Sequence, residues 1–185
     1  RGVNVIGASV NVRDADAYKA WLEQTATALG GCDVFVANVS AGGGMDSEKN
    51  WWKNFEIDVL HTVRGCETLM EHLKKSGQGS VVIISSTNAI ETFAAPMAYN
   101  AMKAALISHA KSMALRLAPD GIRVNTVAPG SISAPGGTWW RRQQEDPVGM
   151  AEFVRQNIPL GRFGTAEEVA NVIAFLVSPR ASWVT

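Results

Sequence analysis

Ser80-Val-Val-Ile-Ile-Ser85, with Ser86 directly after it and the pair Tyr99 and Lys103 further on, is the stretch from which the fold can be read. The run is apolar at every alternate and every intervening position, so both of its faces seek cover. That pattern suits a strand inside a parallel sheet with helices on both sides. Pro96 to Ala118 follows, alanine-rich and helical, and then Ile122 to Ala128 as another β-branched strand closed by Pro129-Gly130. Strand, helix and strand at this spacing form a βαβ unit.

The same alternation extends towards the N-terminus. Cys32 to Val39 reads as a strand, with Gly42 to Gly44 after it. A long helix follows from about Lys49 to Lys75, stopped by Ser-Gly-Gln-Gly. Asp14 to Leu29 reads as an amphipathic helix with Ala17, Trp21, Leu22, Thr25 and Ala28 on one face, and Val3 to Val10 reads as a strand. Towards the C-terminus, Ser131 to Gly149 reads as irregular. Helices follow near Met150 to Asn157 and Thr165 to Val177, the latter opened by a Thr165/Glu168 capping box. The expected class is α/β, a doubly wound parallel sheet of Rossmann type in one domain over residues 1–185.

Composition narrows the function. Seventeen basic and seventeen acidic residues balance, which removes the electrostatic pull that nucleic acid or an anionic membrane would need. A small-molecule partner is expected, with no nucleic acid and no membrane. Cys32 and Cys66 lie far apart, without histidines at ligand spacing, so neither a disulfide framework nor a metal site is expected. His61, His72 and His109 are scattered over helical stretches and read as surface or core residues. The first residues lack the architecture of a signal peptide, which makes a reducing cytoplasm the expected setting.

Tyr99 and Lys103 are one helical turn apart on the same face. A free phenol ionises near pH 10, too high for proton transfer at neutral pH, and a neighbouring ammonium favours the phenolate. Ser86 lies just beyond the C-terminal end of its strand, the edge where ligands collect in open α/β sheets. Its hydroxyl can polarise a carbonyl oxygen there. Taken singly, Ser86 reads as a turn cap, Lys103 as a solvated charge and Tyr99 as a packing residue. Together, at this spacing, they read as a catalytic group.

Ser86, Tyr-Asn-Ala-Met-Lys at 99–103 and Asn-Thr-Val-Ala-Pro-Gly at 125–130 resemble the short-chain dehydrogenase/reductase family. Gly31 to Asn38, Gly121 to Asn125 and Pro159 to Ala170 extend the resemblance over nearly the whole chain. It implies hydride transfer between NAD or NADP and an alcohol or ketone. Tyr99 is the implied general acid and base. Lys103 would bind the nicotinamide ribose and lower the phenol's pKa, and Ser86 would orient the carbonyl. Cofactor contacts are implied for Asn11, Val12, Asn38, Tyr99, Lys103, Pro129, Gly130 and Ile132. Asp58 falls where the family has asparagine, and a carboxylate there could pair with Lys103; Asn54, one turn earlier, could stand in for the amide.

Other departures are Asn11 in place of an acidic residue and Ala134, beside Ser133, in place of a threonine. The family's opening βαβ segment, with its glycine-rich turn, and its last strand have no counterpart here. The sequence therefore reads as an internal fragment of a longer enzyme, or one with segments lost. Trp139-Trp-Arg-Arg142 falls where the family builds its substrate lid, and reads equally as substrate grip or as lid packing. Trp51 and Trp52 read as packing or subunit-contact residues. A homotetramer or homodimer, joined through the helices of Asp58 and Tyr99 across an alanine-rich face at Ala104, Ala105, Ala110 and Ala114, is implied by resemblance. A catalytically silent relative that binds a ligand or partner is the alternative.

Overall fold

The computed structural model describes residues 2–91 and 96–185. Three strands form a parallel sheet in the order β1-β2-β3: β1 is Val34–Ala37, β2 is Ser80–Ile84 and β3 is Arg123–Val127. Val34 pairs with Ser80, and Ile84 with Val127, so both flanking strands run in step with the central one. All five residues of β2 are buried, as an apolar run between two neighbours demands.

Alternation along the strands sorts the helices. Phe35, Ala37, Val81, Ile83 and Val124 point into the main core. There they meet α1 (Ala15–Ala28), α3 (His61–Ser76) and α4 (Met97–Leu117) through Leu22, Cys66, Leu69, Leu73, Leu106 and Ala110. The opposite face, carrying Val36 and Ile84, looks towards α7 (Ala166–Val177). These parallel strands, with helices on both sides of the sheet, make the doubly wound Rossmann-type arrangement.

Five expectations need correction. Val3 to Val10 belongs to no strand, and Val3 and Val5 are largely exposed. A β pattern forms a strand only where a neighbour takes its N–H and C=O groups, and among the described residues none pairs with this one. On α1 the buried stripe is Tyr18, Leu22 and Ala26, with Ala17 and Ala28 exposed and Trp21 and Thr25 part-buried. Ala110 lies in the chain's own core and not on an outer alanine face.

The long helix from Lys49 to Lys75 is broken in register. It comprises α2 (Glu48–Asn54), a π-helical turn over Phe55–Leu60, and α3. The wider turn changes which carbonyls meet helical N–H groups. The Ile57 carbonyl meets His61 Nδ1, and the Asp58 carbonyl accepts the Thr62 hydroxyl at 2.9 Å. Such turns recur at functional sites.

The segment from Ser131 to Gly149 is not wholly irregular: it holds α5 (Thr138–Glu145) and the start of α6 (Pro147–Asn157). Asp146 caps α6 by accepting from the Gly149 N–H at 2.8 Å, and Pro147 sits at the first helical position, where its missing N–H costs nothing. The capping box at Thr165 and Glu168 forms as the sequence predicts. Among the described residues no helix is long and apolar enough to cross a membrane.

Candidate active site

β2 ends at Ile84, and the chain then passes through Ser85 and Ser86 into a single 3₁₀ turn, Thr87–Ala89. Ser85 N–H donates to the Val127 carbonyl at 2.8 Å and Thr87 N–H to the Pro129 carbonyl at 3.1 Å, so the segments leaving β2 and β3 stay side by side. This sets Ser86 beside Pro129 and Gly130. The Ser86 hydroxyl accepts from the Asn88 N–H at 3.2 Å, so it is a turn cap as well as a site residue.

α4 lies across this edge. The Ser85 hydroxyl, buried, donates to the Lys103 carbonyl at 2.7 Å, which fastens the helix to the strand end. Asp46 Oδ1 accepts the otherwise orphaned Met97 N–H at 2.9 Å in the first turn. Tyr99 and Lys103 thereby face the same cleft as Ser86. That cleft has a volume of about 640 Å³. Asn38, Pro129, Gly130 and Ile132 also line it, with Trp139 from α5 and Ile173 from α7. Asn11 and Val12 are not among its lining residues. Asn11 accepts from the Arg13 N–H just before α1, and Arg64 holds the Val12 carbonyl.

Lys103 is almost wholly buried, with 3% of its side chain exposed, and Asp58 is completely so. Their charged atoms are 3.0 Å apart. The ammonium also donates to the Ile84 carbonyl at 3.0 Å. Asp58 Oδ1 accepts the Ser40 hydroxyl at 2.7 Å, and its Oδ2 accepts the Ala41 N–H at 3.0 Å. Asn54, also fully buried, donates to the Asn50 and Gly43 carbonyls and so stays out of the Lys103 contact. Asp58 thus stands behind the cleft, joining the loop after β1 to α4.

The electrostatics differ from expectation. Lys103 Nζ is 5.7 Å from the Tyr99 ring centre, yet the phenol's pKa is raised, not lowered. Burial is the main cause. The Ser86 hydroxyl opposes it, and the negative charge of Asp58 adds to it. The ammonium is already matched by a carboxylate, so little positive field is left over for the phenol. Burial lowers the pKa of nearby His61 and keeps its imidazole neutral.

Sequence reasoning missed Ser40, Ala41 and Ser85. Their roles depend on loop and helix placement that no spacing encodes. It also left open what Trp139 does: its ring packs on Phe153 and Phe163 at 4.8 and 5.4 Å, under the Arg142 guanidinium, while also bordering the cleft.

A family model described as enoyl-(acyl carrier protein) reductase matches residues 2–185. The chain is 36% identical over 181 residues to isoepoxydon dehydrogenase patN of Penicillium expansum, covering 97% of this chain and 70% of that one. It is 31% identical over 191 residues to dehydrogenase/reductase SDR family member 4 of Homo sapiens, covering all of this chain and 66% of that protein. Among solved structures it resembles L-sorbose reductase from Gluconobacter frateurii, complexed with NADPH and L-sorbose, at a TM-score of 0.92 and 28% identity. That match covers all of this chain and 74% of the other. It also resembles levodione reductase, at a TM-score of 0.86 and 28% identity over 96% of this chain and 72% of the other.

Proposed function

Because the chain belongs to the short-chain dehydrogenase/reductase family, we propose that it transfers hydride between NAD or NADP and a small alcohol or ketone, in one dinucleotide-binding domain. The observation that carries the reading is the convergence of Ser86, Tyr99 and Lys103 on one cleft at the C-terminal edge of the sheet.

The lining fits a nicotinamide riboside. Lys103 has three N–H donors; Asp58 and Ile84 take two, which leaves one for a ribose hydroxyl. Asn38 supplies a further polar group, and Ile84, Pro129, Ile132 and Ile173 give an apolar wall for a flat ring. When bound, the reduced cofactor supplies the hydride that converts C=O to CH–O and is itself oxidised. Ser86 donates a hydrogen bond to the carbonyl oxygen, orienting it and withdrawing electron density. Tyr99 donates its phenolic proton to the same oxygen as negative charge develops there, and a proton from solvent restores the phenol. In the oxidative direction the phenolate takes the hydroxyl proton back. Asn11 and Val12 are assigned to the adenine end of the cofactor by their position in the family pattern.

The setting we read is a reducing cytoplasm, in which Cys32 and Cys66 stay free, and the exposed Trp51 and Trp52 of α2 suit a homodimer or homotetramer contact. A second reading, a silent relative that binds without turnover, is favoured by the matched charge of Lys103 and the raised pKa of Tyr99. Titrating the protein with each dinucleotide, then adding a panel of ketones and alcohols while following reduced-cofactor absorbance, separates the two. Binding with turnover supports the enzyme, and binding without turnover the silent protein. Absence of both removes the first reading.

A further inference from the structure

Three donors converge on the two oxygens of Asp58: Ser40 and Lys103 on Oδ1, and the Ala41 N–H on Oδ2. An asparagine has one acceptor oxygen and an NH₂ group. In this place its NH₂ would face either the Ala41 N–H or the Ser40 hydroxyl and the ammonium, a donor against a donor. The surrounding residues are therefore arranged for a carboxylate. Ser40 and Ala41 belong to the loop after β1, Lys103 to α4 and Asp58 to the π-helical turn, so three separate segments meet on this one charge.

We propose that Asp58 is a positioning residue that neutralises Lys103 and so keeps the proton on Tyr99, tuning the site to donate a proton to a carbonyl rather than to withdraw one from an alcohol. The groups that bear on the phenol fit this. Along α4 there is Lys103, its charge matched at 3.0 Å. From the π-helical turn comes the Asp58 carboxylate, whose charge opposes a second negative charge on the phenol. From the segment after β2 comes the Ser86 hydroxyl, which among the described residues favours the phenolate. Asp46, at the start of α4, is engaged by the Met97 N–H.

The inference rests on Tyr99 as the proton-transfer group, but its test reads the proton and not the hydride. The chain has two tyrosines. Tyr18, buried in the core, is pushed up to about 12. Phenolate absorbance after rapid pH jumps on the cofactor-free protein, with Tyr99→Phe as the subtraction, isolates the Tyr99 step. The expected midpoint lies above the ordinary phenol value of about 10. Asp58→Asn lowers that midpoint by a pH unit or more, a roughly tenfold gain in phenolate at a given pH. It also moves the pH profile of alcohol oxidation down by the same amount. A midpoint below 10 in the parent protein overturns the proposal without any variant, which covers the case of an Asp58→Asn chain that does not fold. An unmoved midpoint in folded Asp58→Asn overturns it too. A high midpoint that Asp58→Asn lowers, in a protein without turnover on any ketone, supports the inference while removing the proposed function.

Discussion

Replacing Lys103 by methionine keeps most of the apolar stem of the side chain and removes the terminal ammonium with its charge and donors. Asp58 is then a fully buried carboxylate facing no cation. At 3.0 Å and an effective dielectric constant of about 20, the lost Coulomb attraction is about 5–6 kcal/mol. Relief from burying the ammonium returns part of that, and removing one partner of a buried pair typically costs about 3–5 kcal/mol. The Ser40 and Ala41 hydrogen bonds remain and favour the low end, while the Ile84 carbonyl loses its donor and adds about 1 kcal/mol. A net loss of about 3–4 kcal/mol is a large part of the roughly 5–15 kcal/mol that holds a domain together. With a urea slope of about 2 kcal/mol per molar, the unfolding midpoint falls by about 1.5–2 M. Lys103→Met combined with Asp58→Leu removes both charges and returns to within about 1–2 kcal/mol of the parent. Urea unfolding followed by circular dichroism gives all the values. A single variant within about 0.5 kcal/mol of the parent, or a double variant less stable than the single, would refute the reasoning.

Two other predictions concern packing. A Cβ at Gly65 would come 2.8 Å from Phe35 Cε1 and 3.1 Å from the Tyr18 oxygen. Gly65→Ala should therefore lose about 1–3 kcal/mol to overpacking, more than the roughly 1 kcal/mol it gains in helix propensity, as read by urea midpoint. Trp139→Ala removes the centre of the Trp139, Phe153 and Phe163 cluster and one wall of the cleft. A stability loss of about 1–3 kcal/mol is expected, with KM raised more than kcat is lowered, in steady-state kinetics on any ketone turned over.

What could be read from sequence follows from what local pattern encodes. The apolar run of β2 has one stable environment, and the Ser86, Tyr99 and Lys103 spacing is tied to that strand and the helix after it. All three accordingly come to one cleft. Thr165 and Glu168 are equally local. Val3 to Val10 fails because pairing is non-local: the stretch carries β-branched residues, but among the described residues no strand adjoins it. α5 and the start of α6 were hidden by the Pro135, Gly136 and Gly137 that precede them, which made the whole segment read as irregular. The π-helical turn leaves the apolar periodicity almost unchanged over so short a span. Asp58 meeting Lys103 was legible as a possibility, from a carboxylate in an amide's place. That such a pair would offset the ammonium's effect on Tyr99 was legible with it; the outright rise was not, because it depends on how deeply the phenol is buried.

The most direct test of Tyr99 as proton donor in a hydride transfer uses reduced dinucleotide carrying deuterium at the transferable position, with a ketone the protein reduces. Mass spectrometry of the alcohol then counts the label. The account predicts one deuterium on the carbinol carbon with the parent protein, and a rate at least about a hundredfold lower with folded Tyr99→Phe. Labelled alcohol formed at the parent rate by Tyr99→Phe would contradict it.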